Sequence, residues 1–161
     1  MTHRPALLVT LIALAAFAGC ASTPAPTTIA DTAARTPQLS TLNKLIGDAG
    51  LADTLRGPGP FTVFAPTDAA FKAVPAATLE ALGKDKEKLK AVLTYHVLAG
   101  KVMAADVKNG NVKTVQGADV ALSKAGSFVT VEDAVVGTAD VEASNGVVHL
   151  IDRVLIPPVK K

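Results

Sequence analysis

An apolar stretch near the end of the chain, residues 144–158, constrains the fold more than any other part of the sequence. The turn dipeptide Asn145-Gly146 opens it, and two prolines end it. Successive side chains of a strand point to opposite faces, and both faces of residues 147–151 are apolar apart from His149. Such a strand is typical of the centre of a sheet that is covered on both sides. We therefore expect the upstream elements to bury it.

Residues 1–19 have the features of a secretory signal peptide. A short basic start containing His3 and Arg4 precedes an apolar core that is too short to span a bilayer as a permanent helix. The core ends at Cys20, and the arrangement resembles the lipobox of bacterial lipoproteins, with Phe17 where Leu is usual. In a lipobox the Cys is acylated and becomes the first residue of the mature protein. A lone Cys can also be a buried apolar residue, but this position favours lipid attachment.

Residues 20–37 are rich in Pro, Thr and Ala and contain almost no large apolar side chain. This composition predicts a flexible tether, which if extended would hold the domain about 50 Å from the membrane at about 3 Å per residue. In lipoprotein sorting, an Asp after the acylated Cys retains the protein in the inner membrane. Ala21 stands there, so the resemblance favours the outer membrane, facing the periplasm or the cell surface. The membrane is then a partner, bound through the lipid on Cys20.

The composition limits the number of domains and the classes of partner. Removal of Arg4 with the signal would lower the formal net charge from +2 to +1. This balance and the absence of an aromatic ladder argue against a nucleic-acid partner. Cys20 is the only Cys, so packing rather than disulfides must stabilise the fold. Residues 36–158 are enough for one domain.

The spacing of apolar residues divides the chain into a helical first half and a stranded second half. Helical spacing predicts helices at residues 38–49, 76–82 and 89–97, a short helical turn around Leu51 and Leu55, and a helix with Thr67 as its N-cap and Asp68 at its positive end. Strands are predicted at residues 61–65, 112–115, 119–122, 128–131 and 138–143, before the last strand from Val147. Separate runs of helices and strands indicate the α+β class.

Three stretches together resemble one family, with matching order and spacing. Residues 59–71 resemble the first conserved box of fasciclin (FAS1) domains, residues 93–98 their Tyr-His motif, and residues 144–155 their second box. A small departure is Ala69, where the family often has an acidic residue. The resemblance implies the FAS1 fold, a wedge of two β-sheets with a cluster of short helices packed to one side. The expected structural motif residues are Thr67, Tyr95, His96, Asn145, Gly146 and His149.

The resemblance also implies a class of function. FAS1 domains are secreted or membrane-anchored modules that are mostly associated with adhesion and protein–protein contact, so we expect a non-catalytic module with an unknown protein or glycan partner. In animal members an Asp-Ile pair just before the second box contributes to integrin binding. The matching positions are Asp140 and Val141, a candidate contact surface. The alternative interpretation of this pair is ordinary strand alternation.

Tests for catalytic and metal chemistry find no positive signal in the sequence. His96 and His149 are the only histidines besides His3, and no metal-binding spacing joins them. Both lie on apolar faces, so we expect both imidazoles to be buried in the same core region, neutral and hydrogen-bonded; the alternative is a ligand-binding or catalytic role. No G-x-S-x-G elbow is present. We predict no enzyme activity, cofactor or metal. The alternative function is a small-ligand or glycan-binding envelope protein with a groove between sheets and helices.

Overall fold

The structure, a computed structural model, describes residues 27–158; the predicted signal peptide, Cys20 and residues 21–26 lie outside the described residues. Within this range the helices are α1 Ile29–Arg35, α2 Ser40–Asp48, α3 Ala52–Arg56, α4 Asp68–Ala73, α5 Ala76–Lys84 and α6 Lys86–Tyr95, with a 3₁₀ turn at Pro37–Leu39. The strands are β1 Phe61–Pro66, β2 Val97–Ala99, β3 Gly110–Lys113, β4 Asp119–Ala125, β5 Phe128–Val131, β6 Ala134–Ala143 and β7 Gly146–Ile151. Across residues 27–158, no helix is long and apolar enough to cross a membrane.

The strand β7 lies at the centre of the fold. The strands of the described range form one mixed sheet in the order β2-β1-β7-β6-β5-β4-β3. β7 pairs in parallel with β1 and antiparallel with β6, and all six of its residues are buried. The prediction of a central strand covered on both faces is therefore confirmed.

The sheet folds back on itself until its two edges nearly meet. The beginning of β6 pairs with β5, and the rest of β6 pairs with β7, so this one strand is shared by the two halves of the sheet. At the other side, Leu98 of β2 forms a bridge with Thr114, and the Val115 N–H donates to the Val97 carbonyl at 2.8 Å. The predicted α+β class is confirmed, with the two parts of the wedge joined through β6.

The alternation of side chains along β1 and β7 creates two apolar cores. Val63 and Val148 point toward the helices, where they pack in one cluster with residues of α1, α2, α3 and α6. Phe64 and Ile151 point the other way, into a second cluster with the inner residues of β4 and β5. Two neighbouring strands thus supply the apolar surface for both sides of the molecule.

A carboxylate links the helices that follow and precede β1. Thr67 is the predicted N-cap of α4, and its hydroxyl oxygen accepts from the Ala70 N–H at 3.4 Å. Asp68 accepts from the Ser40 hydroxyl at 2.7 Å and from the Thr41 N–H at 2.9 Å, so it caps the first turn of α2. These two hydrogen bonds, that of Ser40 first, lower the pKa of the Asp68 carboxyl from its usual value.

The prediction of a flexible tether over residues 20–37 is wrong for the part that the structure describes. Helix α1 begins after Thr28, whose side chain accepts from the Asp31 N–H and donates to the Asp31 carboxylate. The buried residues of α1 are Ile29, Ala30 and Ala33. A segment with few large apolar side chains can still fold here, because small side chains let a helix pack closely against a surface that other elements already provide. The folded part thus includes residues well before the predicted boundary at Thr36.

Candidate functional site

Both ring nitrogens of His96 have hydrogen-bond partners inside the fold. It is 2% exposed and lies at the C-terminal end of α6. Its Nδ1 lies 2.7 Å from the Val92 carbonyl, and its Nε2 accepts from the Leu155 N–H at 2.9 Å. A carbonyl can only accept, so the ring is neutral with its proton on Nδ1. Burial lowers the His96 pKa from 6.5 to about 4.

His149 makes the equivalent pair of bonds from the central strand. Its Nε2 lies 2.8 Å from the Val102 carbonyl, and its Nδ1 accepts from the Asp140 N–H at 3.2 Å. The ring stacks on Phe64 with centroids 5.6 Å apart and an interplanar angle of 26°. The main chain of His96 also contacts Phe64, through an N–H···O bond of 2.8 Å. Both imidazoles are therefore buried, as predicted; the His149 ring stacks on Phe64, and the main chain of His96 pairs with that of Phe64.

Asp140 and Val141, the predicted partner contacts, lie at an irregular part of β6. Asp140 has a positive φ of 56° and lies within the register shift between Thr138 and Val141 in the pairing of β6 with β7. Its carboxylate accepts from the Ala104 N–H at 2.7 Å, and Val141 packs against the helical core. The structure thus brings Asp140 together with His149, and gives both members of the pair intramolecular contacts. Their role in binding a partner stays a prediction.

Asn145 connects four segments through one side chain. Its Oδ1 accepts from the Ile29 N–H at 2.9 Å, and its Nδ2 donates to the carbonyls of Leu55 and Gly57 at 2.6 and 2.9 Å. The adjacent Gly146 allows β7 to approach β1, because a Cβ there would lie 1.9 Å from the Phe61 carbonyl oxygen. These two residues of the predicted motif hold the N-terminal helices against the central strands.

Tyr95 lies at the base of a polar cleft. Its hydroxyl is 3.2 Å from the Asp119 carbonyl and 3.2 Å from the Glu132 carboxylate. Burial, and after it the negative charge of Glu132, raises the pKa of Tyr95 to about 12. Glu132 itself has a φ of 54° and also accepts from the Ala121 N–H at 2.9 Å. The sequence does not predict the link between Tyr95 and Glu132, because a turn residue with positive φ 37 positions downstream leaves no local pattern.

The groove between sheet and helices, where a small ligand was an alternative, is nearly filled. The cavity there has a volume of about 30 Å³, and its lining is apolar, with Leu42, Ile46 and Leu55 on the helices and Val63 on β1. This volume suits about one water molecule, and a dry apolar wall does not favour even that. The described helices therefore leave no room for a metabolite or sugar in this groove.

Larger clefts lie on the outer surface, along the segment that follows β7. Ile156 in this segment is 57% exposed and lines three clefts of about 480, 350 and 320 Å³. Arg153 lines two of them. No motif or spacing in the sequence predicts a role for Ile156. Within residues 27–158, no group of three or more His, Cys, Asp or Glu side chains lies close enough together to hold a metal ion.

Comparison with known proteins identifies the family. A family model described as Fasciclin domain matches residues 37–157, most of the chain. The chain belongs to the fasciclin (FAS1) family. The FAS1 fold is also that of the FAS1 domain pair from the insect cell adhesion molecule fasciclin I, with a TM-score of 0.67, 19% sequence identity, and coverage of 81% of this chain and 51% of that one. The expected FAS1 fold is confirmed.

Bacterial members of the FAS1 family are more similar in sequence. Protein sll1483 of Synechocystis is 45% identical over 141 residues, covering 86% of this chain and 78% of that protein. The cell surface glycolipoprotein MPB83 of Mycobacterium bovis is 42% identical over 137 residues, covering 82% of this chain and 61% of MPB83. The immunogenic protein MPB70 of the same species is 39% identical over 135 residues, covering 81% and 69%.

In this FAS1 domain, the residues of the family motifs connect separate segments of the fold by hydrogen bonds. His96, His149 and Asn145 each use side-chain polar atoms in at least one hydrogen bond to the main chain of another segment. Tyr95 and Glu132 do so at the polar cleft. The buried motif residues therefore position the segments around them, and the outer surface is where a partner can make contact.

Proposed function

We propose that this FAS1 protein is a lipid-anchored, extracytoplasmic module that acts without catalysis in adhesion or protein–protein contact. The observation that carries the proposal is the combination of a lipobox-like Cys20 with 42% identity to a relative named as a cell surface glycolipoprotein. The geometry supports a non-catalytic role, because all four ring nitrogens of His96 and His149 already have hydrogen-bond partners. A general base needs a free nitrogen within reach of a substrate.

The anchor is tested by metabolic labelling with a fatty acid, followed by fractionation of the membranes. The wild-type protein incorporates label and partitions with membranes, and Cys20→Ser incorporates none. Ala21→Asp tests the proposed outer-membrane placement in a cell with two membranes, because it should move the protein to the inner membrane. Label on the Cys20→Ser form would contradict the assignment of the anchor.

The adhesion role is tested with cells that carry the anchored protein, the Cys20→Ser form or no protein. Attachment of cells to one another or to a surface is counted under flow. The proposal expects attachment to fall when the anchor is lost, because an interaction module acts for the cell only while it is held on the envelope. Unchanged attachment after release of the protein would refute adhesion and leave only contact with envelope proteins, measured by cross-linking in intact cells.

The alternative of a small-ligand or glycan-binding protein has weaker support, since the cavity between sheet and helices is about 30 Å³. A thermal-shift screen against glycans and small metabolites separates the two functions. A ligand that binds only the native state raises the melting temperature by mass action. A screen without such a shift agrees with the contact role.

A further inference from the structure

The segment after β7 presents an exposed apolar side chain where three clefts meet. We call this region, formed by Ile156 and the clefts of about 480, 350 and 320 Å³ that it lines, the Ile156 surface. Val115, Phe128 and Val135 are the other exposed large apolar residues in residues 27–158, and none of them lines these clefts. Exposed apolar side chains beside concave surfaces are typical of interaction sites.

Two of the clefts are mostly apolar, with Arg153 lining the first and Lys88 lining the second. One is formed with the end of α4 and the turn after it, including Ala73, Val74 and Pro75. The other is formed with α5 and α6, including Leu82 and Val92. Together they offer concave space for more than one apolar side chain of a partner.

The third and largest cleft is acidic. Its walls carry the carboxylates of Asp119, Glu132 and Asp133 against the single guanidinium of Arg153. Among the described residues, neither Asp119 nor Asp133 forms an ion pair, and Arg153 forms none either. Three carboxylates and one cation leave the cleft with an excess of negative charge, which favours a cationic group of a partner.

We propose that the Ile156 surface binds a segment of a partner protein that presents apolar side chains next to Lys or Arg. This inference rests on the proposed contact function and names the chemistry of the partner. The apolar side chains enter the clefts beside Ile156, and a basic side chain reaches the acidic cleft. Charge complementarity selects a basic segment over an acidic one, and burial of Ile156 supplies affinity.

The only tyrosine of the chain gives a direct readout of binding. The sequence contains one Tyr and no Trp, so intrinsic fluorescence reports on Tyr95, at the base of the acidic cleft. The probe is the acetylated and amidated peptide Leu-Lys-Leu-Lys-Leu, titrated into the full chain carrying Cys20→Ser. The matched probe has Glu in place of both Lys. The Lys peptide should change the Tyr95 emission saturably, and the Glu peptide should not.

Matched substitutions separate the Ile156 surface from the rest of the molecule. Ile156→Ser should weaken binding of the Lys peptide about tenfold, as for an apolar residue at the centre of an interface. Asp133→Asn should weaken it about threefold, as for one exposed ion pair. The controls are Phe128→Ser, at an exposed apolar residue elsewhere, and Asp48→Asn, at an exposed carboxylate of α2. Equal binding of both peptides, or unchanged binding in Ile156→Ser, would overturn the proposal.

Other occupants of the same surface give different outcomes. Binding of the Lys peptide to a chain that ends at Pro158, without binding to the full chain, is one such outcome. That result would overturn the proposal, because the chain's own Val-Lys-Lys at residues 159–161 would then be the occupant of the surface. Sedimentation as a dimer that Ile156→Ser converts to a monomer would overturn it in favour of a second copy. If anchored protein promotes attachment and Ile156→Ser does not alter it, this inference fails alone. If anchored protein has no contact role in cells, the proposed function fails whatever the peptide does.

Discussion

At the residue scale, each of the two buried imidazoles links main-chain segments by hydrogen bonds from both of its ring nitrogens. His96 joins α6 to the segment after β7, and His149 joins β7 to the segment after β2 and to the bulge of β6. Each ring uses one nitrogen to donate and the other to accept. Only a neutral imidazole can do both, so a proton added to the His96 ring would remove its hydrogen bond from the Leu155 N–H and charge a buried group.

Because the folded protein needs a neutral His96 ring, its stability should depend on pH at values above those at which carboxylates become protonated. The His96 pKa is about 4 in the folded protein and 6.5 as a reference. The unfolded state therefore binds the proton first, and the free energy of unfolding falls by up to about 3 kcal/mol between pH 6.5 and pH 4. Asp31, Asp68 and Asp85 have lowered pKa values, so their contribution is lost only below the reference value of 3.8.

Urea unfolding at pH 7, 5.5 and 4.5 measures this effect. His96→Leu removes both hydrogen bonds, so it should be less stable at pH 7 and should lose less stability between pH 7 and pH 4.5 than the wild type. A wild-type unfolding free energy that is the same at pH 7 and pH 4.5 would rule out a depressed His96 pKa.

Tyr95 predicts the opposite behaviour at alkaline pH. Burial and the Glu132 carboxylate raise its pKa from 10.0 to about 12, so the unfolded chain loses the phenol proton first. Stability from this group is complete below pH 10 and is lost as the pH rises toward 12. Absorbance at the tyrosinate wavelength follows this one phenol, since the chain has a single Tyr. Glu132→Gln should lower the midpoint, and a wild-type midpoint at 10 would contradict the buried environment.

At the scale of elements, Asn145 decides whether α1 belongs to the domain. Its side chain bonds to Ile29 in α1, to Leu55 in α3 and to Gly57 in the following turn. Asn145→Ala removes three hydrogen bonds and should lower the unfolding free energy by about 3 kcal/mol. Hydrogen exchange should accelerate most in α1. The control is Asn43→Ala on the exposed side of α2, which should change stability little; equal effects of the two substitutions would contradict the prediction.

The sequence predicts an element well where the side chains of that element alone indicate a buried strand or helix. The predicted strands at residues 61–65 and 128–131 agree with β1 and β5 within one residue, because aromatic and β-branched side chains favour strands. The predicted helix at residues 89–97 runs too far, since Val97 belongs to β2. An apolar run that continues from a buried helix into a buried strand has no change of composition at the boundary.

The candidate site was predictable only in its buried part. The apolar faces around His96 and His149 indicate burial and demand hydrogen-bond partners, which the structure supplies. Helix α1 and the Ile156 surface depend on tertiary contacts instead. Nothing near Ile156 in the sequence shows that it lines one cleft with the end of α4 and another with α5 and α6. Such concave surfaces arise between elements, so no local pattern encodes them.

At the scale of the whole molecule, Thr27, the first described residue, and the Ile156 surface lie near opposite ends of β7. The Thr27 carbonyl accepts from the Ser144 N–H at 2.8 Å, just before β7 begins at Gly146. Ile156 follows the other end of the strand, which ends at Ile151. Five residue steps of a strand span about 16 Å. An anchor before Thr27 would therefore direct the Ile156 surface away from the membrane, where a partner can reach it.

The docking of α1 shortens the reach of the proposed anchor. Only seven residue steps separate Cys20 from Thr27, so if Cys20 is acylated as proposed, Thr27 would lie within about 20 Å of the membrane at about 3 Å per residue, and not at the 50 Å expected for a tether to Pro37. Neutron reflectometry of the lipidated protein on a supported bilayer measures this height. A ten-residue Gly-Ser insertion before Thr27 should raise the protein layer, and Asn145→Ala, which frees α1, should raise it as well. A wild-type layer centred as far out as that of the insertion variant would show that α1 does not hold the domain near the membrane.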